Sequence, residues 1–328
     1  MIESTSNAPE VSVVVATHNR PQRLGLLLDA LRAQSLAAER FELIVVDDAS
    51  RPETRTLLDR ELNRNELPLR VLRRDVNGGR AQAREDGWRA ATSGLIAFTD
   101  DDCEPDSNWL ERGLDACRRE PGAIVQGRTE PNPRDLASIE PRARAFSRTI
   151  QVSAHDVGYP TCNIFYPREL LERIEGFDTE AFGRVHGGED ADLAWRGIES
   201  GAQVAFAPDA LVHHAVAQLT PLGKLRVAGS WEMKAVARHP ELRRALFFRG
   251  PFWKLSHYLL ARALLALVLP RRLWPLRVGL AAPYAVQLLQ RGRAEGGGPL
   301  LAPYYVLHDL VEVSAVVRGA IKYRSPMV

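Results

Sequence analysis

Three consecutive carboxylates, Asp100, Asp101 and Asp102, close the apolar run Leu95-Ile96-Ala97-Phe98 in the stretch FTDDDCEP. Adjacent like charges repel, so a triplet at the end of an apolar run calls for a positive partner. A hard divalent cation, Mn2+ or Mg2+, takes oxygen ligands and completes its shell with water and substrate phosphates. A carboxylate pair at a strand end can therefore hold a metal that bridges a diphosphate. The plain alternative is a solvated acidic turn, or a cap for the helix that Asp106 and Ser107 precede near Trp109. A second acidic group, Glu189-Asp190-Ala191-Asp192, follows Gly187-Gly188. One of its carboxylates could serve as general base toward a hydroxyl. A helix N-terminus there would keep it ionised, although a helix start decorated with acids is equally a structural habit.

Smaller groups have the same double character. Asp47-Asp48 ends a second apolar run and could accept a base N–H or a ribose hydroxyl, or cap the helix near Pro52. Asn77-Gly78-Gly79 opens a helical stretch carrying Arg84, and a glycine pair at a helix start lets backbone N–H groups approach an anion. It is neither GxGxxG nor a lysine-bearing phosphate loop. His213-His214 could add an imidazole to a carboxylate metal site.

The elements that must position these residues follow from the hydrophobic pattern. VSVVVA (11–16) and ELIVV (42–46) lack polar alternation, as strands buried on both faces do. Leu69–Leu72 and Leu95–Thr99 complete the strand set. Between them, helices are expected from Pro21 with Leu24, Leu27, Leu28 and Leu31 on one face, over 53–62, and over 80–92. Strands alternating with helices imply parallel pairing, and ligands then bind at the carboxyl ends of the strands. Three polar clusters fall at those ends: Thr17-His18-Asn19, Asp47-Asp48 and the acidic triplet.

After about residue 130 the alternation fades. Residues 131–160 read as a loop region and 187–201 as a loop leading into a short helix that stops at Gly201. Val204–Phe206 and Leu211-Val212 read as two short strands. From about 220 the chain turns apolar in three helical segments, 257–272, 273–291 and 299–324, interrupted by Arg262, Arg277, Pro270, Pro275 and Pro283 and flanked by arginine. No uninterrupted apolar run of spanning length is expected among them. Helices lying on a membrane surface, and a helical subdomain packed on the catalytic part or forming a dimer interface, are the two readings.

Composition narrows the classes. The 328 residues are 45% hydrophobic and 26% charged with a net charge of +2, ordinary for a globular chain and without the strong basic field that nucleic acid requires. Three cysteines with no CxxC pair argue against a disulfide framework or a structural zinc site and fit a reducing cytoplasm. The polar start MIESTSNAPE has no apolar core of a signal peptide.

In this order and with these gaps, the motifs resemble the GT-A fold glycosyltransferases, in particular family 2. The carriers are VSVVVATHNR, VVDDAS, NGGRAQARE, FTDDDCEP, and TCNIFYPRELLERIEGFD followed by GGEDADLAWR, spanning about residues 11–215. The resemblance implies an α/β fold, a Rossmann-like mixed sheet flanked by helices, with a mostly helical apolar C-terminal region. It marks off a catalytic domain 1–218, with a nucleotide-binding half 10–127 and an acceptor half 128–218; residues 219–328, beyond the matched stretch, read from their own apolar and basic pattern as a helical, membrane-associated region.

Carried over residue by residue, it implies that Asp47 contacts the nucleobase, with Asp48 beside it, and that Ala16, Thr17, His18 and Asn19 line the nucleotide pocket. Gly79 and Arg84 would lie near the ribose or base, with Asp100 and Asp101 nearby. Asp102, Asp100 and His214, or His213 in its place, would hold the metal. Asp190 would be the catalytic base, with Glu189 shaping the acceptor side. Cys162, Asn163, Trp195 and Arg196, together with Thr161, would govern acceptor choice. Three departures stand out: Glu85 where asparagine is usual, an acidic residue in the middle of DxD, and no QxxRW block after the acidic motif.

The implied activity is metal-dependent, inverting transfer of one sugar from a nucleotide-diphosphate donor to a glycan or lipid-linked acceptor. Cell-envelope glycan or glycolipid synthesis at the inner face of the cell membrane would suit it, with no nucleic-acid partner. A sugar nucleotidyltransferase, or a sugar-nucleotide-binding module without catalysis, are the competing readings. THNRPQRL is a poor substitute for the glycine-rich loop of the first.

Overall fold

The computed structural model describes residues 8–183, 187–230, 233–247, 252–296 and 298–325; the stretch 1–7, read above as part of a start without a signal peptide, lies outside them. The expected alternation is present. Strands β1 (Val11–Thr17), β2 (Phe41–Asp47), β3 (Leu69–Arg73) and β4 (Leu95–Asp100) are parallel neighbours and alternate with helices α1 (Pro21–Arg32), α2 (Pro52–Arg64) and α3 (Arg80–Ala90). Proline opens α1 and α2, where its missing N–H has no helical acceptor to lose. The Leu24, Leu27, Leu28 and Leu31 stripe of α1 is buried in a core shared with Val11, Val13, Val15, Leu43 and Val45. Burying each such side chain fully is worth roughly 1.5–3 kcal/mol.

Beyond β4 the sheet becomes mixed. β5 (Cys103–Pro105), helix α4 (Trp109–Arg119) and β6 (Ile124–Pro131) come next, then β7 (Ser147–Arg148), β8 (Asn163–Pro167), β9 (Val204–His214) and β10 (Ala217–Gln218). The eight-stranded sheet runs β3-β2-β1-β4-β8-β6-β9-β5, with β8 antiparallel to both its neighbours and β9 parallel to β6. β1, β4 and β9 therefore point their carboxyl ends to one edge. The two short strands expected at 204–206 and 211–212 are one strand with a bulge: its partner steps from Ala207 opposite Gly127 to Leu211 opposite Arg128. The Asn163 side chain fills the irregularity, donating to Arg128 O at 2.7 Å and Ala210 O at 2.8 Å. Gly127 is required there, because a Cβ would lie 2.3 Å from the Asn163 amide.

The chain divides into two compact units, Met1–Pro133 with Thr149–Ala215, and Arg134–Arg148 with Val216–Val328. The sequence boundary after residue 218 compares with Ala215 here, and residues 134–148, read as part of the acceptor half, group with the C-terminal helices. The second unit holds the small β7–β10 ribbon and the long helices Leu255–Val268, Trp274–Ala294 and Ala302–Lys322. One expectation is corrected: the helical segment Pro299–Lys322 is long and apolar enough, by length and composition, to cross a membrane. Its acids face other helices of the unit. Glu312 Oε1 meets Lys254 Nζ at 2.6 Å and its Oε2 meets His257 Nε2 at 3.1 Å, while Asp309 accepts from Tyr284 Oη at 2.9 Å and Arg291 Nη1 at 3.3 Å.

Candidate active site

The two acidic clusters are joined by one buried guanidinium. Arg84, on the face of α3 turned toward the sheet, places Nη2 2.6 Å from Asp100 Oδ1 at the end of β4. Its Nη1 lies 3.2 Å from Glu189 Oε1 and 3.4 Å from Asp190 Oδ1, at the start of the helix Glu189–Glu199. Burial alone would lower the basicity of Arg84, but Asp100, Asp190 and Glu189 outweigh it and hold the guanidinium charged. Arg80 Nε, one turn earlier, adds a contact to Glu189 Oε1 at 2.9 Å.

Within this group the acids differ. Asp190 keeps 23% of its side chain exposed and accepts from the Thr161 N–H at 3.2 Å, whereas Glu189 is buried with its Oε2 unpartnered. Burial, then the neighbouring Glu189 charge, push Asp190 up to about 7 against the pull of Arg84 and Arg80. Asp100 is pulled down: burial disfavours its charge, but Arg84 overcomes this.

The middle and last acids of the triplet also part company. Asp101 is buried, accepts from Thr17 Oγ1 at 2.8 Å, and is pushed up to about 6, chiefly by burial. Asp102 is partly open, with Oδ1 3.6 Å from His214 Nε2. Arg20 bridges the two, its Nη1 2.7 Å from Asp102 Oδ2 and 3.1 Å from Asp101 Oδ1.

The Asp102–His214 pair suits a divalent cation. His214 Nδ1 lies 2.8 Å from the Ala215 carbonyl and 3.2 Å from Thr149 Oγ1, contacts that fix the ring with Nε2 turned to Asp102. Cys103 Sγ lies within the same cluster but is buried, held protonated, and turned to the Cys162 carbonyl, so it does not suit a hard cation. Asp100, expected as a third ligand, is occupied by Arg84. Of the two histidines, His214 faces the acids; His213 pairs opposite Glu104 on the neighbouring strand and its Nδ1 is unpartnered.

At the end of β2, Asp47 accepts from the Ser50 N–H at 2.9 Å through Oδ1; Oδ2 is buried without a hydrogen bond, 3.6 Å from Arg55 Nε. A buried, unsatisfied carboxylate oxygen suits an incoming N–H donor. Asp48 and Gly79 meet each other. The Gly78 and Gly79 N–H groups do cradle an anion, but it is the Asp48 carboxylate itself, at 2.9 Å to each, with Arg74 Nε also at 2.9 Å. Gly79 adopts φ +85, and a Cβ there would collide with the Gly183 carbonyl. His18 and Asn19 are exposed and tie the β1 loop to the β2 loop. His18 Nδ1 lies 2.7 Å from Asp48 O, and the Asn19 side chain accepts from the Arg51 N–H at 2.7 Å. Ala16 lies at the end of β1 beside Asp100.

The acceptor-side residues are largely turned inward. Asn163 is buried, accepting from Trp109 Nε1 as well as plugging the bulge, and Cys162 is buried with its carbonyl accepting from Thr99 Oγ1. Arg196 pairs with Asp192 and donates to the Ile174 and Gly176 carbonyls. Trp195 is buried, its Nε1 donating to Val157 O at 2.9 Å. The polar groups of Asn163, Trp195 and Arg196 and the Cys162 carbonyl bond within the protein and hold the fold together. Glu85, at the departure from the usual asparagine, likewise accepts from Trp88 Nε1 and the Phe177 N–H. Arg20 and Arg80 were not singled out from the sequence. Their signal was an arginine within a turn of each cluster, common in so arginine-rich a chain.

Residues 12–175 match the profile of glycosyl transferase family 2. The chain is 27% identical over 226 residues to glycosyltransferase AglE of Haloferax volcanii, covering 67% of this chain and 71% of that protein. It is 31% identical over 219 residues to the pre-mycofactocin glycosyltransferase of Mycobacterium tuberculosis, covering 62% of this chain and 42% of that relative, so it spans less than half of that protein's length. Among solved structures it resembles the mannosyltransferase PcManGT from Pyrobaculum calidifontis, in complex with GDP-Man and Mn2+. The TM-score is 0.59 over 97% of this chain and 87% of that one, at 22% identity, a likeness of fold.

Proposed function

The chain belongs to glycosyl transferase family 2 and is a glycosyltransferase, and from that premise we propose that it moves a single sugar from a nucleotide-diphosphate donor to an acceptor hydroxyl, with inversion and with a divalent cation. The observation that carries this reading is the Arg84 guanidinium bonded at once to Asp100 and to Asp190, which makes the acids near 100 and near 190 one constellation. Asp102 and His214 would hold the cation. Mn2+ or Mg2+ bound there would neutralise charge gathering on the departing nucleoside diphosphate.

This chain's own residues do the rest. Asp47 Oδ2 receives a base N–H once Arg55 moves aside. Arg20 releases Asp102 and is then free to face phosphate. Asp190, partly open and basic for an aspartate, removes the proton from the attacking hydroxyl. Arg84 acts as a positioning residue, keeping the Asp190 carboxylate oriented between Glu189 and the Thr161 N–H. One displacement of this kind inverts the anomeric centre. The family match disfavours the nucleotidyltransferase and scaffold alternatives. We place the acceptor among envelope glycans or lipid-linked sugars and the protein at the cytoplasmic membrane face, a reading supported by the basic apolar C-terminal helices.

The test is calorimetry with UDP or GDP and Mn2+ alongside turnover. Asp190→Asn should bind nucleotide normally and fail to turn over, while Asp102→Ala should lose cation-dependent binding. Undiminished Mn2+-dependent nucleotide binding by Asp102→Ala would remove the metal role.

A further inference from the structure

In the second unit, helices Leu255–Val268 and Trp274–Ala294 form a hairpin closed by a tight turn at Arg271–Leu273. Arg277 Nε donates to the Ala266 carbonyl at 2.9 Å and Arg262 to the Gly279 carbonyl at 3.3 Å, which pins the two helices where the chain reverses. Between Leu264 and Val278 eight large apolar side chains stand exposed, among them Leu267 at 69%, Val268 at 78% and Trp274 at 66%. So concentrated an apolar surface on a turn is unusual for a face that meets only water.

Along the hairpin and the segment leading into it, the chain's own charges have one sign, with Lys254 and Arg291 paired to acids beyond that stretch. From Leu242 to Ala294 the sequence contains ten arginines and lysines and no aspartate or glutamate. Arg271 and Arg272, at the turn itself, are exposed and have no ion-pair partner among the described residues. Two copies of such a surface would repel each other across a symmetric contact, so self-association through it is disfavoured. A surface rich in phosphate would instead be attracted, and a tryptophan beside arginines is the side-chain set that sits at a membrane–water boundary.

We propose that the hairpin turn seats in the headgroup layer of an anionic phospholipid bilayer, with Leu267, Val268 and Trp274 entering the acyl boundary and Arg271 and Arg272 meeting lipid phosphates. The inference deepens the membrane placement above and rests on the transferase reading only for the leaflet concerned. Its test uses no sugar donor, so either can fail alone.

Full-length protein is floated with phosphatidylcholine vesicles, with and without phosphatidylglycerol. It should co-float with the anionic vesicles, partition weakly to the neutral ones, and be released as salt is raised. The pair Leu267→Asp with Val268→Asp, and separately Arg271→Glu with Arg272→Glu, should each lower partitioning at least about tenfold. Leu62→Asp, an exposed site in the first unit, should leave it unchanged, and nucleotide binding in solution should be the same in all of them. Failure of the wild type to float, equal flotation with neutral vesicles, undiminished flotation of both double variants, or a dimer that these substitutions dissolve would each overturn the proposal.

Discussion

In the first unit Leu62 and Val76 are the large apolar side chains left exposed among the described residues, whereas the second unit exposes leucines, valines and a tryptophan from Leu222 to Ile321. Both units bury charge: Arg84 among Asp100, Glu189 and Asp190 in one, Glu312 between Lys254 and His257 in the other. Buried ion pairs therefore do not distinguish the catalytic part from the rest. What distinguishes it is that its network stops at a partly open carboxylate, Asp190, with raised basicity, while in the second unit the carboxylates Glu312 and Asp309 are buried and the members left open are the cations Lys254 and Arg291. A buried charge cluster becomes a candidate for chemistry where a carboxylate of raised basicity is left open to a substrate.

The comparison can be broken by substituting the matching acids. Asp190→Asn should lower kcat by about 10²–10⁴-fold with nucleotide affinity retained; Glu312→Gln should leave turnover per folded enzyme unchanged, and steady-state kinetics beside circular dichroism checks both. Next in size, Arg84→Ala leaves three acids without their shared cation and should cost about 3–5 kcal/mol of stability, read from urea unfolding.

A smaller effect is the pH response. Asp190 must be ionised to take a proton, so kcat/KM should fall about tenfold per unit below a pH of about 7. Glu189 and Asp100 raise that inflection and Arg84 and Arg80 lower it. Glu189→Gln should therefore move it to lower pH, and an upward move would sink the assignment. The smallest effect concerns Arg20, which is half-exposed: Arg20→Ala should tighten Mn2+ binding in the absence of nucleotide by roughly two- to fivefold, measured by electron paramagnetic resonance.

Much of the first unit was legible because β1, β2 and β4 are buried on both faces and so carry continuous apolar runs ending in polar clusters. β6 was not, because it buries Gln126 and Thr129. Gln126 bonds to the Asp156 backbone and Thr129 exchanges backbone bonds with Val152, so the strand is interior yet carries polar residues that break the apolar run. The site was legible as clusters but not as assignments. Residue type alone does not say that Asp48 supplies the anion for its own glycine turn, or that Asn163 faces a strand irregularity and not a ligand. Each answer depends on a partner far away in the chain.

That irregularity in β9 also decides which imidazole reaches the acids. Pro208, Asp209 and Ala210 are surplus to the ladder, an odd number, and strand side chains alternate between faces. Were the bulge to keep three residues, removing one of them would bring Ala215 to the place opposite Cys103 that His214 now takes, and adding one would bring His213 there. The imidazole on offer is thus a matter of register: a one-residue slip of β9, remote from either histidine's own chemistry, would silence or swap it.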